Sequence, residues 1–126
     1  MSMIDTPLMR GLERVLDVSA FRHQIITANL ANIDTPGYRT RDLRPFAGEI
    51  DRAMAGNESS LSEQSFTPVA HEIRGLLERP DGNNVSVERE SLLLAQNQLR
   101  FQVAVQFMKA EFHRMSLAIT GAGTTP

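Results

Sequence analysis

The sequence predicts an all-α fold in which two long helices, one near each end of the chain, pack as an antiparallel, coiled-coil-like hairpin. Three observations predict it: a helical apolar pattern over residues 7–33, a second over residues 87–120, and turn-forming residues concentrated between them. The irregular middle segment has room for short strand or helix pieces. We therefore expect one helical unit interrupted by a loop.

The composition excludes several classes of site. The 126 residues include 13 Lys and Arg against 15 Asp and Glu, a net charge of -2. This balance provides no long-range attraction to nucleic acid or to acidic membranes. The absence of cysteine excludes disulfides and cysteine-based metal or nucleophilic sites. No N-terminal secretion signal and no membrane-spanning run is recognisable, which by itself favours a cytoplasmic protein.

The first helix is predicted from Pro7 to Ile33. Thr6 can cap it, and Pro7 suits a first turn, where a missing N–H costs no hydrogen bond. Apolar residues form one stripe with polar residues at its middle, and a second apolar group lies to one side, so a single partner helix would not cover both. The stripe contains Leu8, Leu12, Val15, Ile26, Leu30 and Ile33, its polar middle Ser19, Arg22 and His23, and the second group Val18, Phe21, Ile25 and Ala28.

Turn-forming residues end this helix. Asp34 and Thr35 offer side-chain oxygens that compete with helical bonding, Pro36 disfavours the helical conformation of the residue before it, and Gly37 permits a positive φ. Beyond this turn, glycine and proline punctuate the chain. The pattern predicts a short helix over residues 46–54, an extended stretch over 64–69, a helical turn over 71–77 and a tight turn at 80–82.

The second helix is predicted from Val87 to Thr120, with Ser86 as its cap, and would be roughly 50 Å long at 1.5 Å per residue. It is apolar on two opposite sides, so one side can pack on the first helix while the other is left for another chain. One face contains Leu92, Ala95, Leu99, Val103, Ala110 and Leu117; the other contains Leu94, Phe101, Val105, Met108, Phe112, Met115 and Ile119. Leu94, Phe101, Met108 and Met115 follow a strict seven-residue step, which is typical of coiled packing.

These faces predict two kinds of contact, although periodicity alone leaves the reverse assignment open. Packing within the subunit is assigned to Leu12, Val15, Ile26 and Leu30 against Leu92, Leu99 and Val103. The interface with neighbouring subunits is assigned to Leu94, Phe101, Val105, Met108, Phe112, Met115 and Ile119.

No pattern indicates catalysis, a cofactor or a metal. His23, His71 and His113 are not spaced as metal ligands, and no Gly-x-Ser-x-Gly turn positions a nucleophile. A calcium loop beginning at Asp81 is excluded, because Val85 and Leu92 stand where oxygen ligands are required. We expect no catalytic, metal-binding or cofactor-binding residue.

The string N-L-A-N-I-D-T-P-G-Y, residues 29–38, resembles the N-terminal signature of bacterial flagellar basal-body rod and hook proteins, N-x-A-N-x-x-T-P-G-Y. A second block, D-G-N-N-V at residues 81–85 with Glu90, Asn97 and Arg100 following, is similar to the C-terminal pattern of the proximal rod member. Phe101 stands where that family commonly has Tyr. The motif residues are Asn29, Ala31, Asn32, Thr35, Pro36, Gly37, Tyr38, Asp81, Gly82, Asn83, Asn84 and Val85.

The resemblance implies a non-enzymatic structural subunit of the proximal rod, polymerising helically through its terminal helices to transmit torque across the periplasm. It implies export by the flagellar type III apparatus without a cleaved signal, which replaces the cytoplasmic expectation. The implied partners are further copies, other rod proteins, the basal rod adaptor and the MS-ring and export-gate region, with no nucleic acid or small-molecule substrate. Residues 1–38 and 81–120 would form the rod core, 39–80 an inter-subunit loop segment and 121–126 a tail. The competing hypothesis is a nonflagellar adaptor or chaperone-like hairpin that binds an amphipathic partner helix.

Overall fold

A computed structural model describes residues 6–43 and 68–121 of the chain. These residues form helix α1 (Pro7–Ala31), strand β1 (Arg41–Leu43), strand β2 (Ala70–Glu72) and helix α2 (Val87–Gly121). The two helices pack against each other, so the predicted helical hairpin is confirmed. The helix predicted over 46–54 lies outside the described residues, as does most of the extended stretch predicted over 64–69.

Helix α1 begins and ends where local hydrogen bonding dictates. The Thr6 hydroxyl accepts a hydrogen bond from the Met9 N–H at 3.1 Å, as the cap prediction requires. The helix ends at Ala31, two residues before the predicted end. The reason is Asn32, whose side-chain amide donates to the Ala28 carbonyl at 2.8 Å and competes with the helical pattern.

Helix α2 is the longest element, with 35 residues against 25 in α1. The Ser86 hydroxyl accepts from the Arg89 N–H at 3.3 Å, and Glu88 and Glu90 lie in the first turn near the positive end of the helix dipole. The helix runs antiparallel to α1, because Glu90 at its start contacts Asn29 near the end of α1. Its length is about 52 Å at 1.5 Å per residue.

Strands β1 and β2 form an antiparallel pair in which Asp42 stands opposite His71. The helical turn predicted over residues 71–77 is therefore wrong. The Ile73 N–H donates to the Thr40 carbonyl at 2.9 Å and prolongs the strand pairing, and Gly75 adopts φ +81°, which a right-handed helix does not allow. The turn predicted at 80–82 is confirmed, with Gly82 at φ +84°.

The strand pair covers the second apolar group of α1. Val18 and Ile25 of α1 form a buried cluster with Leu43 of β1, and Phe21 and Ala70 pack against it. The strands thus supply the additional partner that the two-sided pattern of α1 required. Among the described helices, none is long and apolar enough to cross a membrane.

Candidate assembly site: the joint and the faces of α2

Residues 29–42 and 79–90 form a continuous polar structure, here named the joint, at the end of the hairpin where α1 stops and α2 starts. Its centre is the buried Asn83. The Asn83 side-chain N–H group donates to the carbonyls of Asn32, Ile33 and Thr35 at 2.9, 3.0 and 2.9 Å, and its side-chain oxygen accepts from the Val85 N–H at 2.8 Å. One side chain before α2 therefore satisfies the carbonyls left without helical partners after α1.

Asn29 is the second centre of the joint. Its side-chain oxygen accepts from the Tyr38 hydroxyl at 3.0 Å and from the Arg41 N–H at 3.2 Å. Its side-chain N–H group donates to the Arg41 carbonyl at 2.8 Å and to the Glu90 carboxylate at 3.1 Å. Asn29 thus joins α1, the turn after it and α2, and it does so from a buried position.

Backbone contacts reinforce these two centres. The Gly37 N–H donates to the Asp81 carbonyl at 2.9 Å. The Thr40 N–H donates to the Asn84 side-chain oxygen at 2.6 Å, and the Thr40 hydroxyl donates to the Asn84 carbonyl at 3.1 Å. Outside these buried contacts, the Arg79 guanidinium donates to the Ile33 carbonyl. The 81–85 block therefore holds the turn after α1 in place.

Two glycines let the halves of the joint approach each other. Gly37 and Gly82 adopt φ +74° and +84°, a region that other residues rarely adopt. A Cβ atom added at Gly82 would lie 3.5 Å from the Gly37 Cα. The two glycines of the motif are thus neighbours in space, and backbone conformation accounts for both.

A buried ion pair fixes β1 to α1. The Arg22 guanidinium donates from Nε to Asp42 Oδ1 at 3.0 Å and from Nη2 to Asp42 Oδ2 at 2.8 Å, and the Leu43 N–H adds a hydrogen bond to Oδ1 at 2.7 Å. Both side chains are buried. This pairing explains why an arginine interrupts the apolar stripe of α1, a question that periodicity could not answer.

The Tyr38 hydroxyl lies within the same polar structure. Burial raises the pKa of Tyr38 above its ordinary value, the nearby Arg41 lowers it, and the Glu90 carboxylate raises it. The phenol is therefore held protonated and available to donate to Asn29.

The faces of α2 are arranged differently from the prediction. Leu92, Leu99 and Val103, expected to pack against α1, are 60%, 62% and 45% exposed. The buried residues of α2 are instead Glu90, Asn97 and Ala104, on the opposite side. The physical reason is hydrogen bonding: Glu90 contacts Asn29, and the Asn97 side-chain N–H donates to the Ser19 carbonyl at 2.8 Å, which turns this side of α2 toward α1.

The remaining residues predicted to form contacts differ in how far they are buried. On α1, Leu12 and Ile26 are buried, and Val15 and Leu30 are half-buried. Among those assigned to neighbouring subunits, Leu94, Val105, Met108 and Met115 are half-buried, whereas Phe101, Phe112 and Ile119 are exposed. The exposed apolar side chains on the side away from α1 are here named the outward face: Leu92, Leu99, Val103, Phe107 and Leu117.

Two features of this site were missed from the sequence. The Arg22–Asp42 pair links residues twenty positions apart, and no local pattern indicates it. The buried positions Glu90, Asn97 and Ala104 did carry a signal, because they are spaced by seven residues like the apolar step beside them. Within residues 6–43 and 68–121, no group of His, Asp and Glu is suited to hold a metal ion.

Comparison with known proteins finds similarity to flagellar rod proteins over residues 22–39 and over most of the chain. Residues 22–39, from the buried Arg22 through the turn after α1, match the family model described as "Flagella basal body rod protein". The chain is 29% identical over 123 residues to the flagellar basal body rod protein FlgB of Escherichia coli, covering 85% of this chain and 88% of the relative.

Two relatives from distant bacteria agree. FlgB of Bacillus subtilis is 29% identical over 123 residues, with 90% of this chain and 93% of the relative covered. FlgB of Aquifex aeolicus is 29% identical over 119 residues, with 90% and 96% covered. The motif residues of both halves are gathered in one joint, and the chain is similar over most of its length to flagellar basal body rod proteins.

Proposed function

We propose that this chain is a structural subunit of the proximal rod, polymerising helically through its two terminal helices. The observation that carries the proposal is the outward face of α2, five large apolar side chains that point away from α1 and are exposed in the single chain. A helix that is apolar on opposite sides belongs inside a larger bundle, and within residues 6–43 and 68–121 only one of those sides is covered.

The outward face is large enough to drive association. Burial of one Leu or Phe side chain contributes about 1.5–3 kcal/mol. Several such residues, repeated with more than one neighbour, offset a cost of association of roughly 4–15 kcal/mol. The single chain is then only moderately stable, and the assembled rod is stable, because amphipathic helices gain most of their stability from packing.

Helical growth also needs a second surface that differs from the first, since a closed two-fold dimer would end the polymer. We assign that surface to residues 39–80, whose described ends pair with each other as β1 and β2 and are held to α1 by the Arg22–Asp42 ion pair and the cluster of Val18, Ile25 and Leu43. A firmly held base gives the segment a defined exit direction. The joint then determines where one subunit meets the next.

The further properties of the proposal follow from the family. The chain would be exported by the flagellar type III apparatus, contact other rod proteins, the basal rod adaptor and the MS-ring and export-gate region, and transmit torque within the periplasm. The similar proteins are rod proteins, so we assign the chain a structural role and no enzymatic activity.

The test replaces Leu99 and Val103 together with Glu in the bacterium that carries this chain. Charges on the outward face should block incorporation, because each would be buried without a partner. We expect the variant to be exported, basal bodies to lack it, and swimming to be lost. The matched control, Gln98→Glu with Ser116→Glu, adds the same charge to exposed polar positions of α2 outside the outward face and should swim. Normal incorporation of the Leu99 and Val103 variant into detergent-extracted basal bodies would contradict the proposal.

A further inference from the structure

A second seven-residue series runs along α2 beside the apolar one. A heptad has two core positions. Leu94, Phe101, Met108 and Met115 occupy one of them, and the residues at the other are polar or small throughout. This second series consists of Glu90, Asn97, Ala104, Glu111 and Ala118. A coiled coil built for strength places Leu or Ile there.

Two polar members of this series, Glu90 and Asn97, have partners on α1, whereas Glu111 accepts from the Arg114 guanidinium of α2 at 2.8 Å. Glu90 is fully buried and accepts from the Asn29 side chain at 3.1 Å and from the Arg89 guanidinium at 2.8 Å. Asn97 is 2% exposed and donates to the Ser19 carbonyl at 2.8 Å. α1 therefore provides a hydrogen-bond donor to Glu90 and an acceptor to Asn97.

A second copy of α2 provides no such partners. If two α2 helices paired in parallel through this side, Glu90 would face Glu90 and Glu111 would face Glu111, and like charges placed together away from water are strongly unfavourable. The alanine layers would leave little apolar area to compensate. The apolar step alone would favour such a pair, but the polar series opposes it.

We propose that Glu90, Asn97 and Glu111 select the partner of α2: they make this side of the helix pair with α1 of its own chain and prevent it from pairing with α2 of another copy. The outward face is then left for contacts between subunits. This selection concerns the packing within the chain and goes beyond the proposed function, so it stands whether or not the chain forms a rod.

The selection reduces the stability of the hairpin. The Asn97 side-chain oxygen and the Ser19 hydroxyl are both buried without a hydrogen-bond partner in the described part of the chain. Burial of such groups is unfavourable, and an apolar residue at position 97 would avoid it. A polar residue retained at this cost is expected where it specifies pairing, as single buried asparagines do in coiled coils.

The test uses the purified full chain with Ala104→Cys as a reporter, since the natural chain contains no cysteine. Position 104 is buried and belongs to the polar or small series, so thiols of two copies meet there only if two α2 helices pair through this side. Asn97→Leu is added to remove one selecting residue. Gln98→Leu, at an exposed neighbouring position, is the matched control for added apolar area. Helicity is checked by circular dichroism, dimer content by sedimentation velocity, and disulfide-linked dimer by non-reducing electrophoresis after mild oxidation.

We expect the Asn97→Leu variant to form dimer roughly tenfold more readily than the reporter alone, a factor corresponding to ~1.4 kcal/mol, and to become disulfide-linked through position 104. The Gln98→Leu control should remain at the reporter level. Glu111→Leu, which leaves the contacts of Asn97 and Glu90 intact, should also increase the dimer content. It is the variant to measure if Asn97→Leu does not fold. Folded variants that stay at the reporter level, or dimers without a disulfide at 104, would overturn the proposal.

Discussion

The joint and the outward face of α2 are two regions of one small chain that differ in polarity and in how far their side chains are already in contact. The joint is polar and internally complete: Asn29 and Asn83 bond to backbone on both sides of the hairpin. The outward face is apolar and is left uncovered by the described part of the chain, with Leu92 and Leu99 about three-fifths exposed. Directional hydrogen bonds determine the shape of the single chain, whereas we propose that non-directional apolar area provides the energy for joining other copies.

Breaking the buried ion pair is expected to cause the largest loss of stability in the joint and the strands beside it. Asp42→Ala leaves the Arg22 guanidinium buried without its bidentate partner and should lower the free energy of unfolding by about 3–5 kcal/mol, measured by urea denaturation. β1 would then be held to α1 only by the remaining contacts of Asn29 and of the Val18, Ile25 and Leu43 cluster.

The double variant Arg22→Met with Asp42→Leu is the control for this prediction, because it replaces the pair by apolar groups of similar size. It should recover most of the lost stability. A single Asp42→Ala variant as stable as the natural chain would show that the pair does not hold the strands.

Asn83→Ala should have the second largest effect. The carbonyls of Asn32, Ile33 and Thr35 would lose their common donor, and the unfolding free energy should fall by about 2–3 kcal/mol in the same urea titration. Gln98→Ala, at an exposed position of α2, should change it by less than about 0.5 kcal/mol. Equal effects of the two substitutions would mean that Asn83 does not organise the joint.

Tyr38→Phe is expected to have the smallest effect and the most specific pH dependence. Loss of the hydrogen bond to Asn29 should cost about 0.5–1.5 kcal/mol at neutral pH. Because burial raises the pKa of Tyr38 in the folded chain, its contribution is present below the unfolded pKa of about 10 and is lost as the pH rises through the folded pKa. The natural chain should therefore lose stability above pH 10 more steeply than the variant, as thermal unfolding at several pH values can measure. Parallel curves would contradict this role of the phenol.

Local patterns predicted the fold better than the site. Caps such as Thr6 and breakers such as Pro36 and Gly37 act within a few residues, so the start of α1 and both ends of α2 were predicted to within one residue and the end of α1 to within two. The strand pair was not predicted, because the stability of β1 comes from contacts with α1 and β2 that are distant in sequence.

The orientation of α2 also depends on contacts between residues distant in sequence, and local patterns did not predict it. Its two apolar faces are nearly equivalent in periodicity, and the choice between them is made by Glu90 and Asn97 through contacts with Asn29 and Ser19. Buried polar residues lower the apparent hydrophobicity of the face they select. The pattern of apolar residues therefore indicated two faces but not which of them meets α1.

The most direct test of the outward face is its accessibility before and after assembly, read from a single thiol introduced by Leu99→Cys into a chain that has no other. The thiol should react rapidly with a maleimide in the purified chain, and in intact basal bodies it should react at least roughly tenfold more slowly, regaining reactivity when the rod is denatured. Equal rates in the free chain and in the intact rod would contradict the assignment of this face to contacts between subunits.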